Sequence, residues 1–184
     1  MLRTGVFLDR DDTIIKDVPY LKDPDMIELM PGSAAAIRLL NEKRIPAIII
    51  TNQSGIARGL LNEADLEAVH ERLKEMLAED SASIDAVYSC PHLPEGVIEQ
   101  YAVRCSCRKP ETGLLEEAAR DFSLNLRKCY FIGDKLSDIE AIHRVGGKGI
   151  LVGHSTESIS AEYRATDILD AVEWVIRDMC DENP

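Results

Sequence analysis

The chain has 184 residues, 45% of them hydrophobic and 29% charged, an ordinary balance for a soluble globular protein with a sizeable core. Its formal net charge of −12 argues against a nucleic-acid backbone as partner, which would need a basic face. No basic stretch precedes an apolar segment at the N-terminus, and no apolar run nears the ~20 residues that span a bilayer, so a cytoplasmic protein without a membrane partner is expected.

The first predicted strand covers 5–8, where Val6, Phe7 and Leu8 are apolar in succession, as in a strand buried on both faces. Asp9, Arg10, Asp11, Asp12 and Thr13 follow it directly, and three carboxylates this close repel one another unless a cation organises them. A helical pattern over 32–43 leads to a second strand at 47–50. Beyond that lie Thr51, Asn52, Gln53, Ser54 and Gly55, hydroxyl and amide groups suited to phosphate oxygens. The clearest helix is expected at 62–78, with Asn62 as N-cap, Glu63 and Asp65 in the first turn, and Leu66, Val69, Leu73, Met76 and Leu77 as its apolar stripe.

A third strand is expected at 86–89, and after it residues 90–108 follow neither helical nor strand periodicity. A connection this long is functional or needs something to hold it. Cys90, His92, Cys105 and Cys107 flank the segment, and three thiols with one imidazole form a tetrahedral Zn²⁺ set; the alternative is a group of unrelated thiols and a surface histidine. Five cysteines in a reducing compartment favour a metal site or buried thiols over disulfides. With all four positions filled by protein, the zinc would be structural, and it would fix where the adjoining cations Arg108 and Lys109 point.

Helix 112–122, strand 129–132, helix 137–145, strand 149–152 and helix 170–178 complete the pattern, with a polar tail at 181–184. Gly133, Asp134, Lys135 and Asp138 follow the fourth strand. Cys129 and Cys180 read as ordinary packing or exposed thiols, and His70, His143 and His154 have no assignable role. Strands alternating with helices predict an α/β fold with a doubly wound, mainly parallel sheet. In such a sheet the loops at the carboxyl ends converge. Here they would gather Asp9 and Asp11, the Thr51 loop, two cations and Asp134, a constellation for Mg²⁺ and a phosphate ester.

These four segments resemble the motifs of the haloacid dehalogenase-like phosphohydrolase superfamily over nearly the whole chain. The resemblance implies that Asp9 is the nucleophile and Asp11 the general acid/base, that Thr51 and Asn52 form the second motif, Lys109 the third, and Asp134 with Asp138 the fourth. It places Mg²⁺ on Asp9, on the main-chain carbonyl of Asp11 and on Asp134. It further implies a Rossmann-like domain spanning 1–184 without a large cap, with a zinc loop at 90–107 inserted in it, and a monomer acting on a small phosphorylated sugar.

Within the superfamily, the string from Thr51 to Gly59, the Cys/His loop, Cys107-Arg108-Lys109-Pro110 and Gly133-Asp134-Lys135 are similar to those of phosphatases acting on heptose bisphosphate. That similarity implies substrate contacts from Asp17, Tyr20, Thr51, Asn52, Gln53, Ser54, Arg108, Lys109 and Lys135. Histidinol phosphate is the rival substrate, and a zinc-stabilised phosphate-binding protein without turnover is the non-enzymatic alternative. Asp12 and Pro19 depart from the glycines usual at their positions. A required positive φ at residue 12 would still be accessible to aspartate.

Overall fold

The computed structural model describes residues 2–153 and 160–181; His154 and tail residues 182–184 lie outside them. In chain order the elements are β1 (Val6–Leu8), α1 (Ser33–Glu42), β2 (Ala47–Asn52), α2 (Glu63–Glu79), β3 (Ala86–Cys90), α3 (Gly113–Phe122), β4 (Tyr130–Gly133), α4 (Leu136–Arg144), β5 (Lys148–Val152), β6 (Tyr163–Ala165) and α5 (Ile168–Asp181). Among the described residues the six strands form one sheet in the order β3-β2-β1-β4-β5-β6, and every neighbouring pair is parallel. The chain winds outward from β1 through β2 and β3, then returns to β4 on the other side. The topological switch point therefore lies between β1 and β4, where a doubly wound sheet opens a crevice at its carboxyl edge.

Each central strand feeds two cores. Val6, Leu8, Ile49 and Ile132 pack with Ile37, Leu40, Val69, Leu73, Val172 and Val175, so α1, α2 and α5 cover one face. Phe7, Ile48, Ile50 and Phe131 point the other way, against Leu114, Leu115, Ala118 and Ile142 of α3 and α4. This two-residue alternation with both faces covered explains why the strands read as unbroken apolar runs.

The five expected strands and five helices are present, with shifted ends. β2 runs on to Asn52, so Thr51 and Asn52 belong to the strand, and Cys90 is the last residue of β3. Cys129 lies just before β4, where it caps a short 3₁₀ turn. The α2 N-cap is reciprocal: Asp65 N–H donates to Asn62 Oδ1 and Asn62 N–H to Asp65 Oδ2, both at 2.9 Å. β6 was not expected, because it is a three-residue edge strand with an exposed central Arg164 and hence no apolar run. No helix among the described residues is long and apolar enough to cross a membrane.

Candidate active site

β1 ends at Leu8, and the amide of Asp9 donates to the Ile132 carbonyl of β4 at 3.0 Å. Strand pairing thus carries one residue past β1 and brings the two loops of the switch point together. Asp9 is buried, and Lys109 Nζ stands 2.8 Å from its Oδ1. The same ammonium lies 2.6 Å from Asp138 Oδ1 and donates to the Ile50 carbonyl at 2.9 Å, so three oxygens surround it. Burial opposes this charge, but the Asp9 and Asp138 carboxylates outweigh it and hold the ammonium above its usual range.

The backbone of Lys109 is fixed by Asn52 at the end of β2. Lys109 N–H donates to Asn52 Oδ1 at 3.0 Å, and Asn52 Nδ2 donates to the Lys109 carbonyl at 3.1 Å. Asp11 is gripped from the side by Arg10, whose Nε and Nη2 donate to Oδ1 at 3.0 and 2.8 Å. Gln53 Nε2 donates to Asp11 Oδ2 at 2.9 Å and to Thr51 Oγ1 at 2.8 Å, which ties the first loop to the second.

Asp12 has φ of 56°, the left-handed conformation that aspartate tolerates, and its Oδ1 accepts from the Asp17 amide at 3.0 Å. The extra acid thereby closes the turn leading to Asp17. Burial, then the Asp11 and Asp12 charges, push the Asp17 carboxyl up.

On the β4 side, Asp138 is fully buried in the first turn of α4, where its Oδ2 accepts from the Lys135 amide at 3.1 Å. It packs so closely on Gly133 that any Cβ at that position would collide with its carboxylate. Asp134 Oδ2 lies 3.3 Å from Lys135 Nζ, while its Oδ1 is buried with no hydrogen-bond partner. Burial pushes the Asp134 carboxyl up to about 7, with Lys135 opposing and Asp9 adding to the rise.

Oxygens of Asp9, Asp134 and Asp138 lie within 4.8 Å of one another. Both Asp138 oxygens are committed, one to Lys109 and one to the α4 cap, which leaves Asp9 and Asp134 to face a cation. An orphaned buried carboxylate oxygen is costly without one. Two hard carboxylates beside a phosphate-sized space fit Mg²⁺. The Asp11 carboxylate is not part of this group, since Arg10 and Gln53 occupy it, so any contribution of Asp11 to a metal falls to its main chain.

Asp9, Asp11, Thr51, Asn52, Arg108, Lys109, Lys135 and Ser137 line a cavity of about 320 Å³. A neighbouring hollow of about 290 Å³ shares Asp11, Asn52 and Lys135 and adds Asp17, Tyr20, Gln53 and Ser54. All nine expected contact residues thus line these two adjoining hollows. Sequence reasoning missed Ser137, which follows Lys135 by two residues, and, while it placed Asp138 in the fourth motif, it missed that Asp138 anchors Lys109. A larger hollow of about 570 Å³ beside Ile56 and Tyr101 is lined by Glu63 and Asp65 and by no lysine or arginine, so it offers nothing to a phosphate dianion.

The Cys/His group converges at the edge of the two adjoining hollows. Cys107 Sγ lies 3.0 Å from Cys90 Sγ, 3.2 Å from Cys105 Sγ and 3.2 Å from His92 Nδ1. Burial, then the neighbouring Cys90 and Cys105, push the Cys107 thiol up, so a thiolate there calls for a cation. Three sulfurs and one imidazole nitrogen form a closed set of the kind that holds structural zinc. The loop is further tied down by the Val97 and Ile98 amides, which donate to the Ala57 carbonyl at 2.8 and 3.0 Å. Arg108 Nη1 donates to the His92 carbonyl at 3.3 Å, which links this group to the cations lining the cavity.

A family model described as HAD-hydrolase-like matches residues 106–175. A D-glycero-D-manno-heptose-1,7-bisphosphate 7-phosphatase of Thermosynechococcus vestitus is 39% identical over 95% of this chain and 96% of its own length. A D-glycero-beta-D-manno-heptose-1,7-bisphosphate 7-phosphatase of Salmonella typhi is 37% identical over 96% of this chain and 92% of its own. Among solved structures, D,D-heptose 1,7-bisphosphate phosphatase from B. bronchiseptica, complexed with magnesium and phosphate, superposes with a TM-score of 0.83 at 30% identity, over 95% of this chain and 99% of that one.

Proposed function

Since this chain belongs to the haloacid dehalogenase-like hydrolases, in the family of D-glycero-D-manno-heptose-1,7-bisphosphate 7-phosphatases, we propose that it removes the 7-phosphate of heptose 1,7-bisphosphate and leaves the 1-phosphate, as nucleotide activation of the sugar requires. The observation that carries this reading is the triple contact of buried Lys109 with Asp9, Asp138 and the Ile50 carbonyl. It holds one carboxylate rigidly at the floor of a cavity whose walls are cationic and amide groups.

In the proposed reaction an Asp9 carboxylate oxygen attacks phosphorus in line as the bond to the sugar oxygen breaks, giving an aspartyl-phosphate. The Asp11 carboxyl gives its proton to the departing oxygen. It then takes one from the water that attacks the phosphoryl group, regenerating Asp9 and releasing inorganic phosphate. Arg108, Lys109 and Lys135 line the cavity and offset charge on the transferred oxygens, and Thr51 adds a hydroxyl. Mg²⁺ held by Asp9, Asp134 and the Asp11 main chain would supply further charge neutralisation at those oxygens. Zn²⁺ held by Cys90, His92, Cys105 and Cys107 would be structural and would steady Arg108 through the His92 carbonyl.

A substrate panel assayed with Mg²⁺ tests the reading. Both anomers of heptose 1,7-bisphosphate are expected to exceed histidinol phosphate in kcat/KM, with the 1-phosphate retained. A preference for histidinol phosphate would overturn it.

A further inference from the structure

Arg10 is one of the most deeply buried side chains, at 1% exposure, although it stands between two acids of the catalytic loop. One edge of its guanidinium, formed by Nε and Nη2, grips Asp11. The opposite corner, Nη1, lies 3.3 Å from His70 Nε2, which comes from α2. Arginine can only donate, so His70 Nε2 is the acceptor, and the ring is neutral with its proton on Nδ1. Burial, then Arg10 and Lys74, push the imidazole down to about 3, in keeping with that assignment.

His70 is the one polar residue on the buried face of α2, among Leu66, Val69, Leu73 and Leu77. Resting on the assignment of Asp11 as the proton donor, we propose that His70 is a positioning residue: by accepting from Arg10 Nη1 it sets the rotation of the guanidinium and thereby aims the Asp11 carboxyl at the departing oxygen. Without an acceptor at His70, Nη1–H is left buried and unpaired. The guanidinium then turns to find a partner and its grip on Asp11 is lost.

An aim at the leaving oxygen matters only where that oxygen needs a proton. A sugar alkoxide does; 4-nitrophenolate does not. His70→Leu and His70→Phe, the latter keeping a flat ring without nitrogen, are expected to lower kcat/KM for the sugar phosphate about tenfold more than for 4-nitrophenyl phosphate. His70→Gln, which restores an acceptor, is expected to bring that ratio back to within about threefold of the parent. Equal losses on both substrates, or no rescue by glutamine, would overturn the proposal and reduce His70 to packing.

Asp11→Asn is the companion variant. If it shows no dependence on the leaving group, the assignment of Asp11 fails; if it does and the His70 variants do not, only the role of His70 fails. Ring ¹⁵N shifts of the unaltered protein give an independent check. An unprotonated Nε2 at His70 is expected, and a protonated one would refute the proposal without any variant.

Discussion

Asp138 Oδ1 lies 2.6 Å from Lys109 Nζ, and neither side chain is open to water. The pair joins the first turn of α4 to the third loop across the floor of the site, so Lys109 reaches Asp9 from a fixed anchor. Removing one partner of a buried ion pair leaves an uncompensated charge. Asp138→Ala is therefore expected to destabilise the fold by about 3 kcal/mol, and Asp138→Asn by less. Chemical denaturation measures the stability, and kcat should fall in parallel as Lys109 loses its anchor.

Under the proposed assignment, magnesium at Asp134 would compete with a proton below about pH 7. The carboxyl is pushed from an ordinary 3.8 up to about 7 by burial, so in the metal-free protein the folded state binds more protons than the unfolded one between those values. Metal-free stability accordingly falls as pH rises through that window. Added Mg²⁺ should raise Tm more at pH 8 than at pH 6, and Asp134→Asn should abolish the difference. Thermal scans with and without Mg²⁺ at the two pH values give the comparison.

His70 produces the opposite slope. Its ring is held neutral, at about 3 against 6.5 when unfolded, with burial the main cause. The stability it contributes is complete above pH 6.5 and is lost as pH falls toward 3, by up to about 1.4 kcal/mol per pH unit. His70→Gln should remove that part of the acid slope. The difference in unfolding free energy between parent and variant, followed from pH 7 to pH 4.5, isolates it from the carboxylates.

Zinc content is expected to be one ion per chain, falling below that in Cys107→Ser. Because Arg108 hangs on the His92 carbonyl, loss of the ion should raise KM more than it lowers kcat. Elemental analysis and kinetics on the same preparation test both parts. Full zinc occupancy in the variant would dismiss Cys107 as a ligand.

The sheet was legible because β1, β4 and the first four residues of β2 are buried on both faces and carry no charged or amide side chain. β6 was not, since a short edge strand with an exposed Arg164 carries no such mark. Asp9, Asp11 and Asp134 stood out as acids directly after strands, and the Cys/His set as ligands crowded into irregular chain. Asp138 was legible as part of the fourth motif, but its pairing with Lys109, like the contact of His70 with Arg10, was hidden for a common reason. Each sits on a helix, and a helix's own sequence pattern does not name the side chain that faces it from another element. Only the packing of α4 and α2 against the loops shows what their side chains reach.

The central claim is that the Asp9 carboxylate performs the attack on phosphorus. Turnover of heptose 1,7-bisphosphate by Asp9→Asn, with circular dichroism and Tm recorded on the same sample, tests it most directly. A folded variant is expected to lose activity by about 10⁴-fold or more. A folded variant within about tenfold of the parent would contradict the account.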